Sequence, residues 1–171
     1  KEHPSQYLVN RGISKTDQVL AKIGILENWI LFPIYKPFSD SILIGAVART
    51  IDSNVNSKYI LPAGQDPDLL YCTDWYRIQK AKEVYLTFGI IDAVSLWCKG
   101  LAAMSTTTGK RINPQALDNI RTRIIIIPDN GEEKEAQVIA SKLGWRGSVL
   151  RLKYPVGTKD INDLVMRGIY E

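Results

Sequence analysis

Two aspartates in the second half of the chain, Asp129 and Asp92, each follow an apolar run that predicts a β-strand. Asp129 follows the run Arg123–Pro128, which contains four consecutive isoleucines. A β-branched run without polar alternation predicts a strand that is buried on both faces, as in a parallel sheet. Asp92 lies four residues after the end of a second apolar run, Val84–Phe88. Because open α/β sheets bind ligands outside the carboxyl ends of their strands, Asp129 in particular is a candidate for a ligand site.

These acids, and a further pair near the end of the chain, also have structural interpretations. Asp92 falls in the first turn of a predicted helix, where a carboxylate interacts favourably with the helix dipole. Asp160 has the spacing of a helix N-cap, with Asp163 at the reciprocal position of a capping box. Asp129 precedes Asn130–Gly131 and could be an ordinary loop acid. Residue type and spacing leave both interpretations of each acid open.

Strand-like and helix-like segments alternate from Val84 onward, which is typical of a parallel sheet with right-handed crossovers. The predicted strands are 84–88, 101–105, 123–128 and 147–153. The predicted helices are 90–99, 114–121, 132–143 and 160–167. Gly89 is expected to allow a sharp backbone turn between the first strand and its helix. Gly144 is expected to end the helix that precedes it.

The first part of the chain predicts shorter elements. Residues 4–24 predict two short helices, with Pro4 in the first helical turn. The apolar side of the second helix is expected to consist of Val19, Leu20 and Ile23. Residues 29–35 and 41–50 predict a β-hairpin or a meander, and 58–62 predict another short extended segment.

The stretch from Val84 to Asp129 resembles a Toprim domain, the metal-binding nucleotidyl-transfer module of bacterial DNA primases, topoisomerases and some nucleases. That family has a hydrophobic strand followed by Glu-Gly-x-x-Asp-Ala, and an Asp-x-Asp after a later strand. Gly89, Asp92 and Ala93 match the first motif, and Asp129 begins the second.

Three short sequence motifs in the first half of the chain are similar to motifs of bacterial DNA primases in particular. They are Phe32–Ile34, Gly45–Arg49 and Lys58–Tyr59, and they occur in the same order as in that family. The resemblance implies an α/β fold: a Toprim-like parallel sheet with flanking helices, preceded by a small mixed α/β lobe. It divides the chain into a short helical segment (1–27), a primase-like first lobe (28–80) and a Toprim-like domain (81–171).

Two positions depart from the Toprim pattern. Phe88 stands where the family has its catalytic Glu, and Gly131 stands where it has the second acid of Asp-x-Asp. The resemblance implies Mg²⁺ or Mn²⁺ held by acids, with Asp129 and Asp160 as candidate catalytic residues. The candidate metal ligands that remain are Asp129, Asp92, Asp160 and Asp163. Since a two-metal centre needs more acids than this, the expectation is a weak metal site or none.

Positive side chains are the candidates for contacts with nucleic acid. In primases, Arg and Lys residues of the first-lobe sequence motifs contact the template or the nucleotide. The resemblance therefore implies that role for Arg49 and Lys58. Lys110 ends the loop Thr106–Lys110, whose hydroxyl and N–H groups could contact phosphate, although it lacks the Walker A spacing of glycines. Lys159, which directly precedes Asp160, is the last of these candidates. Phe88 is interpreted as a core residue more readily than as a base-stacking one.

Composition narrows the function classes only slightly. The 171 residues are 45% hydrophobic and 23% charged, with a formal net charge of +4, which permits a polyanionic partner without requiring one. Cys72 and Cys98 form no C-x-x-C pair, which favours a reducing, cytoplasmic setting. No apolar run is long enough to span a membrane, and we expect no signal peptide. Because Lys1 replaces an initiating Met, we expect a fragment or a trimmed amino terminus.

The primase-like resemblance leads to three functional hypotheses. The first is a protein of DNA replication or of a mobile element that binds nucleic acid with weak or lost nucleotidyl transfer. The second is an active primase with a rebuilt metal site, and the third is a non-catalytic scaffold for protein interactions. Expected partners are single-stranded DNA or an RNA/DNA hybrid, together with nucleotides and replication proteins, and no membrane.

Overall fold

The computed structural model of the protein describes residues 5–39, 41–52, 54 and 57–169. The helices are α1 (Gln6–Val9), α2 (Lys15–Leu20), α3 (Trp75–Lys80), α4 (Ile90–Cys98), α5 (Glu133–Leu143) and α6 (Ile161–Met166). The strands of the first half are β1 (Gly24–Leu26), β2 (Trp29–Tyr35), β3 (Leu43–Thr50), β4 (Tyr59–Ile60) and β5 (Leu70–Cys72). The later strands are β6 (Glu83–Thr87), β7 (Ala103–Thr106), β8 (Arg123–Ile127) and β9 (Gly147–Val149).

The first sheet is antiparallel, with the strand order β1-β2-β3-β4. Side chains of β2 alternate strictly between a buried and a half-buried face, because successive residues of a strand point to opposite sides. Ile30, Phe32 and Ile34 form the buried row. Phe32 meets Tyr71 of β5 edge to face at 5.8 Å between ring centroids, which joins this sheet to the second one.

The second sheet has the strand order β5-β7-β6-β8-β9. Its last four strands run parallel, and β5 pairs antiparallel with β7 at one edge. Val84, Leu86, Ile124 and Ile126 are fully buried in its two central strands. The continuous apolar run of β8 therefore predicted a buried parallel strand correctly, and the α/β fold class is confirmed.

Two hydrophobic cores lie on opposite faces of the second sheet. One contains residues of α3 and α5, such as Trp75 and Ile139. The other packs α4 and α6 against the buried face of the first sheet, where Phe32 and Val94 belong to the same cluster. Core contacts thus cross residue 81, and the division of the chain at residues 27 and 80 stays a prediction.

The predicted helix at 114–121 is wrong in type and length, since only a short 3-10 helix, Pro114–Leu117, is formed. Asn113 caps it by accepting a hydrogen bond from the Gln115 N–H at 3.1 Å. The Arg146 guanidinium then donates to the Leu117 carbonyl at 3.3 Å and to the Ile120 carbonyl. Because a side chain satisfies these carbonyl groups, the segment needs no further helical turn.

Other boundaries also differ from the predictions. The last strand ends at Val149 rather than at residue 153, and β1 was not predicted. Pro4 lies outside the described residues. Among the described helices, none is long and apolar enough to cross a membrane. Cys72 and Cys98 are free thiols.

The predicted apolar side of α2 is wrong for Val19 and Leu20, whereas Ile23 does pack against the core. Val19 and Leu20 are 59% and 62% exposed, whereas Gln18 is buried. The Gln18 side chain accepts a hydrogen bond from Ser5 N–H at 2.7 Å and donates to the Ser5 and Ile13 carbonyls at 3.2 and 3.0 Å. A buried amide that satisfies three backbone groups holds the two short helices together.

Replacing Gln18 by Ala should therefore lower the free energy of unfolding by about 1–3 kcal/mol, because buried backbone groups lose their partners. Val19→Ala is the matched control and should change stability by less than about 0.5 kcal/mol. Urea unfolding of both variants measures the difference. Equal losses in the two variants would show that Gln18 has no special role.

Candidate functional site

The carboxyl edge of the second sheet brings the predicted acids together. β6 leads into α4 with Asp92 in its first turn, and β8 ends just before Asp129. The N–H of Asn130 donates to the Lys159 carbonyl at 2.7 Å, which joins the loop after β8 to the loop before α6. Asp160 lies next to this junction, as the N-cap of α6.

Asn162 is the most connected polar residue of this edge, and it is almost completely buried. Its N–H donates to the Asp92 carboxylate at 2.9 Å, and its side-chain amide donates to the Ser95 hydroxyl at 2.7 Å and to the Arg11 carbonyl at 2.8 Å. The Arg11 guanidinium in turn donates to the Asn162 side-chain oxygen at 3.2 Å. One amide thus joins α4, α6 and the loop after α1.

Mutual repulsion and burial make the acids hold protons more readily. Burial, followed by the charges of Asp160 and Asp129, raises the pKa of Asp92 well above its usual value, against the hydrogen bond from Asn162 and the charge of Arg11. Burial, followed by Glu132, Asp160 and Asp163, raises the pKa of Asp129 to about 7. Carboxylates in this state favour a bound proton or a nearby cation.

The capping interpretation of Asp160 is confirmed. Its carboxylate accepts a hydrogen bond from the Asp163 N–H at 2.9 Å. The Asp163 carboxylate accepts from the Lys159 N–H at 2.8 Å, one residue before the cap and so not in the strict capping-box position. The pKa of Asp160 is raised by burial and by the charge of Asp163, against the hydrogen bond from the Asp163 N–H and the charges of Arg11 and Lys159.

The donor set does not fit a preformed two-metal centre. Asp92, Asp160 and Asp163 each use one carboxylate oxygen for a backbone N–H, and Phe88 and Gly131 supply no side-chain ligand. Across the described part of the chain, no group of three or more Asp, Glu, His or Cys side chains is placed to hold a metal ion. The assignment of the four Asp residues as ligands stays a prediction.

Gly89 is required for a reason that differs from the expected one. Its φ of −119° is ordinary extended backbone, so no sharp turn depends on glycine here. A Cβ at this position would lie 2.2 Å from the Asp92 carboxylate. The Asp92 side chain therefore folds back over Gly89, and the Gly-x-x-Asp spacing reflects this close approach.

Aromatic and guanidinium groups alternate beside the acidic edge. The Arg11 guanidinium lies 5.6 Å from the Tyr7 ring centroid, and Arg49 lies between Tyr7 at 4.6 Å and Tyr59 at 5.1 Å. Arg49 also donates to the Tyr59 hydroxyl at 3.2 Å. We call these four residues, Arg11, Tyr7, Arg49 and Tyr59, the Arg–Tyr ladder. Burial raises the pKa of Tyr59 to about 12, so its hydroxyl stays protonated.

The ladder contains two buried polar atoms without a hydrogen-bond partner in the described residues, the Arg49 Nε and the Tyr7 hydroxyl. Arg49 is only 7% exposed, so it lies behind the surface rather than on it. The cation–π contacts stabilise its charge there.

A cleft of about 590 Å³ opens between β4 and the carboxyl ends of β6 and β7. Lys58, Tyr59 and Leu61 line the cleft from one side, and Phe88–Ile90 and Thr106–Gly109 line it from the other. The predicted contact residue Lys58 is thus exposed at the cleft, with Arg49 directly behind Tyr59.

The two other predicted basic residues lie elsewhere. Lys110 pairs with Glu135 at 2.8 Å and with Glu132 at 3.7 Å. Lys159 is exposed beside the acidic edge. The threonines of the loop donate their hydroxyl hydrogens to protein carbonyls: Thr106 to Gly109, Thr107 to Pro67, and Thr108 to Arg111. Those hydrogens are consequently not directed at a phosphate.

No protein-family model matches the chain, and no curated protein matches it. Solved structures do. The primase fragment of the bacteriophage T7 primase-helicase aligns with 94% of this chain and 68% of its own, at a TM-score of 0.73 and 18% identity. The fold is that of a DNA primase core. The DnaG catalytic core aligns with 95% of this chain and 67% of its own, at a TM-score of 0.69 and 17% identity.

A third primase structure, the DnaG catalytic domain bound to single-stranded DNA, gives a TM-score of 0.70 and 17% identity. It aligns with 95% of this chain and 66% of its own. The chain thus has the primase-like Toprim fold and spans about two thirds of the length of these primase chains.

Sequence reasoning missed four residues of the site. Tyr59 belongs to a primase-like sequence motif, but its charged neighbour Lys58 is the more obvious candidate for a contact with nucleic acid. Asn162 lies between two acids and, being neutral, carries no signal of its own. Tyr7 and Arg11 are close in sequence at helical spacing, yet nothing local indicates that Arg11 meets a residue 151 positions away.

Substituting Gly89 by Ala should lower the free energy of unfolding by about 1–3 kcal/mol, because the new methyl group overlaps the Asp92 carboxylate. In an Asp92→Ala background the same substitution should cost much less. Thermal or urea unfolding of the two single variants and the double variant measures this coupling. Additive effects would show that the close approach is not what requires glycine.

Proposed function

We propose that this protein binds nucleic acid at the cleft beside the Arg–Tyr ladder, with weak or lost nucleotidyl transfer, in DNA replication or in a mobile element. One observation supports this proposal: Lys58 and Tyr59 line the same cleft, and the buried Arg49 packs against the Tyr59 ring from behind. An aromatic platform beside cations is the chemistry by which proteins hold single-stranded nucleic acid.

Charge supports a polyanionic ligand at this place. Lys58 is exposed on the cleft wall, and Arg11 and Arg49 add two guanidinium groups to the ladder behind it. The Arg49 Nε is buried, so Arg49 acts from behind Tyr59 through its charge and not through direct contact with a phosphate. Phosphate contacts of exposed cations such as Lys58 supply most of the affinity of nucleic-acid binding.

We propose single-stranded DNA or an RNA/DNA hybrid as the ligand. One structural neighbour is a DnaG catalytic domain bound to single-stranded DNA. Another comes from a structure of bacteriophage T7 lagging-strand DNA polymerase interacting with primase domains bound to an RNA/DNA hybrid and dTTP. Nucleotides and replication proteins are further proposed partners on the same grounds.

Weak or lost nucleotidyl transfer follows from the acids that are missing. Phe88 directly follows β6, where the resemblance places a catalytic Glu, and it is buried in the apolar core. Two of the remaining carboxylates already accept hydrogen bonds from backbone N–H groups, Asp160 from Asp163 and Asp92 from Asn162. They therefore offer few free oxygens to Mg²⁺ or Mn²⁺. Any metal would depend mainly on Asp129.

An active primase with a rebuilt metal site is the second proposal. It is favoured by one observation: Glu132 is near enough to Asp129 to raise its pKa, together with Asp160 and Asp163. Glu132 would then substitute for the acid that Gly131 lacks. Asp129 and Asp160 would be the catalytic residues of such a site.

Single-stranded DNA should bind at low salt, and affinity should fall as salt rises because counterions are released. Arg49→Ala and Lys58→Ala should each weaken binding and reduce the slope of log affinity against log salt by about 0.7 for every phosphate that is no longer neutralised. Lys80→Ala, at the last residue of α3, is the matched control. Fluorescence anisotropy across a salt series measures the slopes, and absence of binding at low salt would favour the scaffold hypothesis.

Template-directed primer synthesis with Mg²⁺ should be absent or very slow, because Phe88 and Gly131 remove two ligands. Incorporation of labelled nucleotides on a single-stranded template measures it. Synthesis that is present in the parent and abolished in Asp129→Ala would establish the active-primase proposal instead.

A further inference from the structure

The floor of the cleft is apolar where the Toprim pattern has an acid. Phe88 and Ile90 line it and are 5% and 2% exposed, and Leu61 lines it from the opposite wall. No carboxylate is found among the described residues that line this cleft. A metal–triphosphate group would find no carboxylate ligand here, and the hydroxyls of Ser57 and of threonines 106–108 already donate to protein carbonyls.

Tyr59 gives the cleft an aromatic wall that is held in place from behind. Its ring packs against the Arg49 guanidinium at 5.1 Å, and its hydroxyl accepts a hydrogen bond from the same group at 3.2 Å. The residue keeps 37% of its surface exposed and lines the cleft. A ring fixed in this way loses little conformational freedom when a flat ligand stacks on it.

We infer that the cleft accepts an unpaired nucleobase, stacked on Tyr59 over the floor formed by Leu61, Phe88 and Ile90, without a divalent ion. The phosphates on either side of that base would lie toward Lys58, on the exposed rim. The inference rests on the proposed function, because it names what part of a nucleic acid enters the cleft. Loss of the acid at position 88 then has a positive consequence, since a buried carboxylate would disfavour an apolar base.

The test compares a short oligothymidylate with an oligomer of equal length in which the central nucleotides are abasic. Both are titrated by fluorescence anisotropy in the presence of EDTA. The base-bearing oligomer should bind about tenfold more tightly, as expected for one stacked base. Tyr59→Ala should remove this preference for the base-bearing oligomer. Tyr59→Phe should keep the preference, because the ring is retained. Tyr76→Ala, at an exposed tyrosine of α3, is the control and should keep it.

Phe88→Glu should also reduce the preference for the base-bearing oligomer in EDTA, whereas Phe88→Leu should keep it. Thermal melts identify a variant that fails to fold, and the Tyr59 variants then decide the question. Equal binding of the two oligomers by the parent would overturn the inference and leave the proposed backbone binding intact. Binding that EDTA abolishes would overturn it as well. Failure of both oligomers to bind would overturn the proposed function itself.

Discussion

The buried amide of Asn162 is the interaction on which the arrangement of the site depends. It joins the amino-terminal helices to α4 and α6 by hydrogen bonds of 2.7–3.2 Å, through Arg11, Ser95 and Asp92. Asn162 positions Arg11 at one end of the Arg–Tyr ladder, whereas Arg49 positions Tyr59 at the other end. Buried and fully satisfied polar networks of this kind specify one packing arrangement over its alternatives.

The start of α4 is built around the close approach of the Asp92 carboxylate to Gly89. Phe88, which directly precedes this glycine, is apolar and buried. Phe88 packs with the core on the α5 side of the sheet and contributes only an edge to the cleft. The sheet edge is thereby divided into an acidic part around Asp129 and an apolar part beside Tyr59.

Much of the second sheet could be predicted, because its strands are continuous apolar runs whose burial decides their conformation. The 114–121 helix failed because Arg146, distant in sequence, satisfies the carbonyls that a helix would have used. Val19 and Leu20 were misplaced because apolar residues at helical spacing usually mark the core side, whereas here Gln18 finds three backbone partners. The acids do meet at the sheet edge as predicted, but the ladder depends on contacts between distant segments that no local pattern encodes.

The hydrogen bond from Asn130 N–H to the Lys159 carbonyl, at 2.7 Å, has a mechanical consequence. It fastens the two loops that carry Asp129 and Asp160, so displacement of either loop pulls the other with it. The connection continues from Asp160, the N-cap of α6, to Asn162 in the same helix and from there to Arg11. Residues from opposite ends of the polypeptide are thus held together at one edge of the sheet.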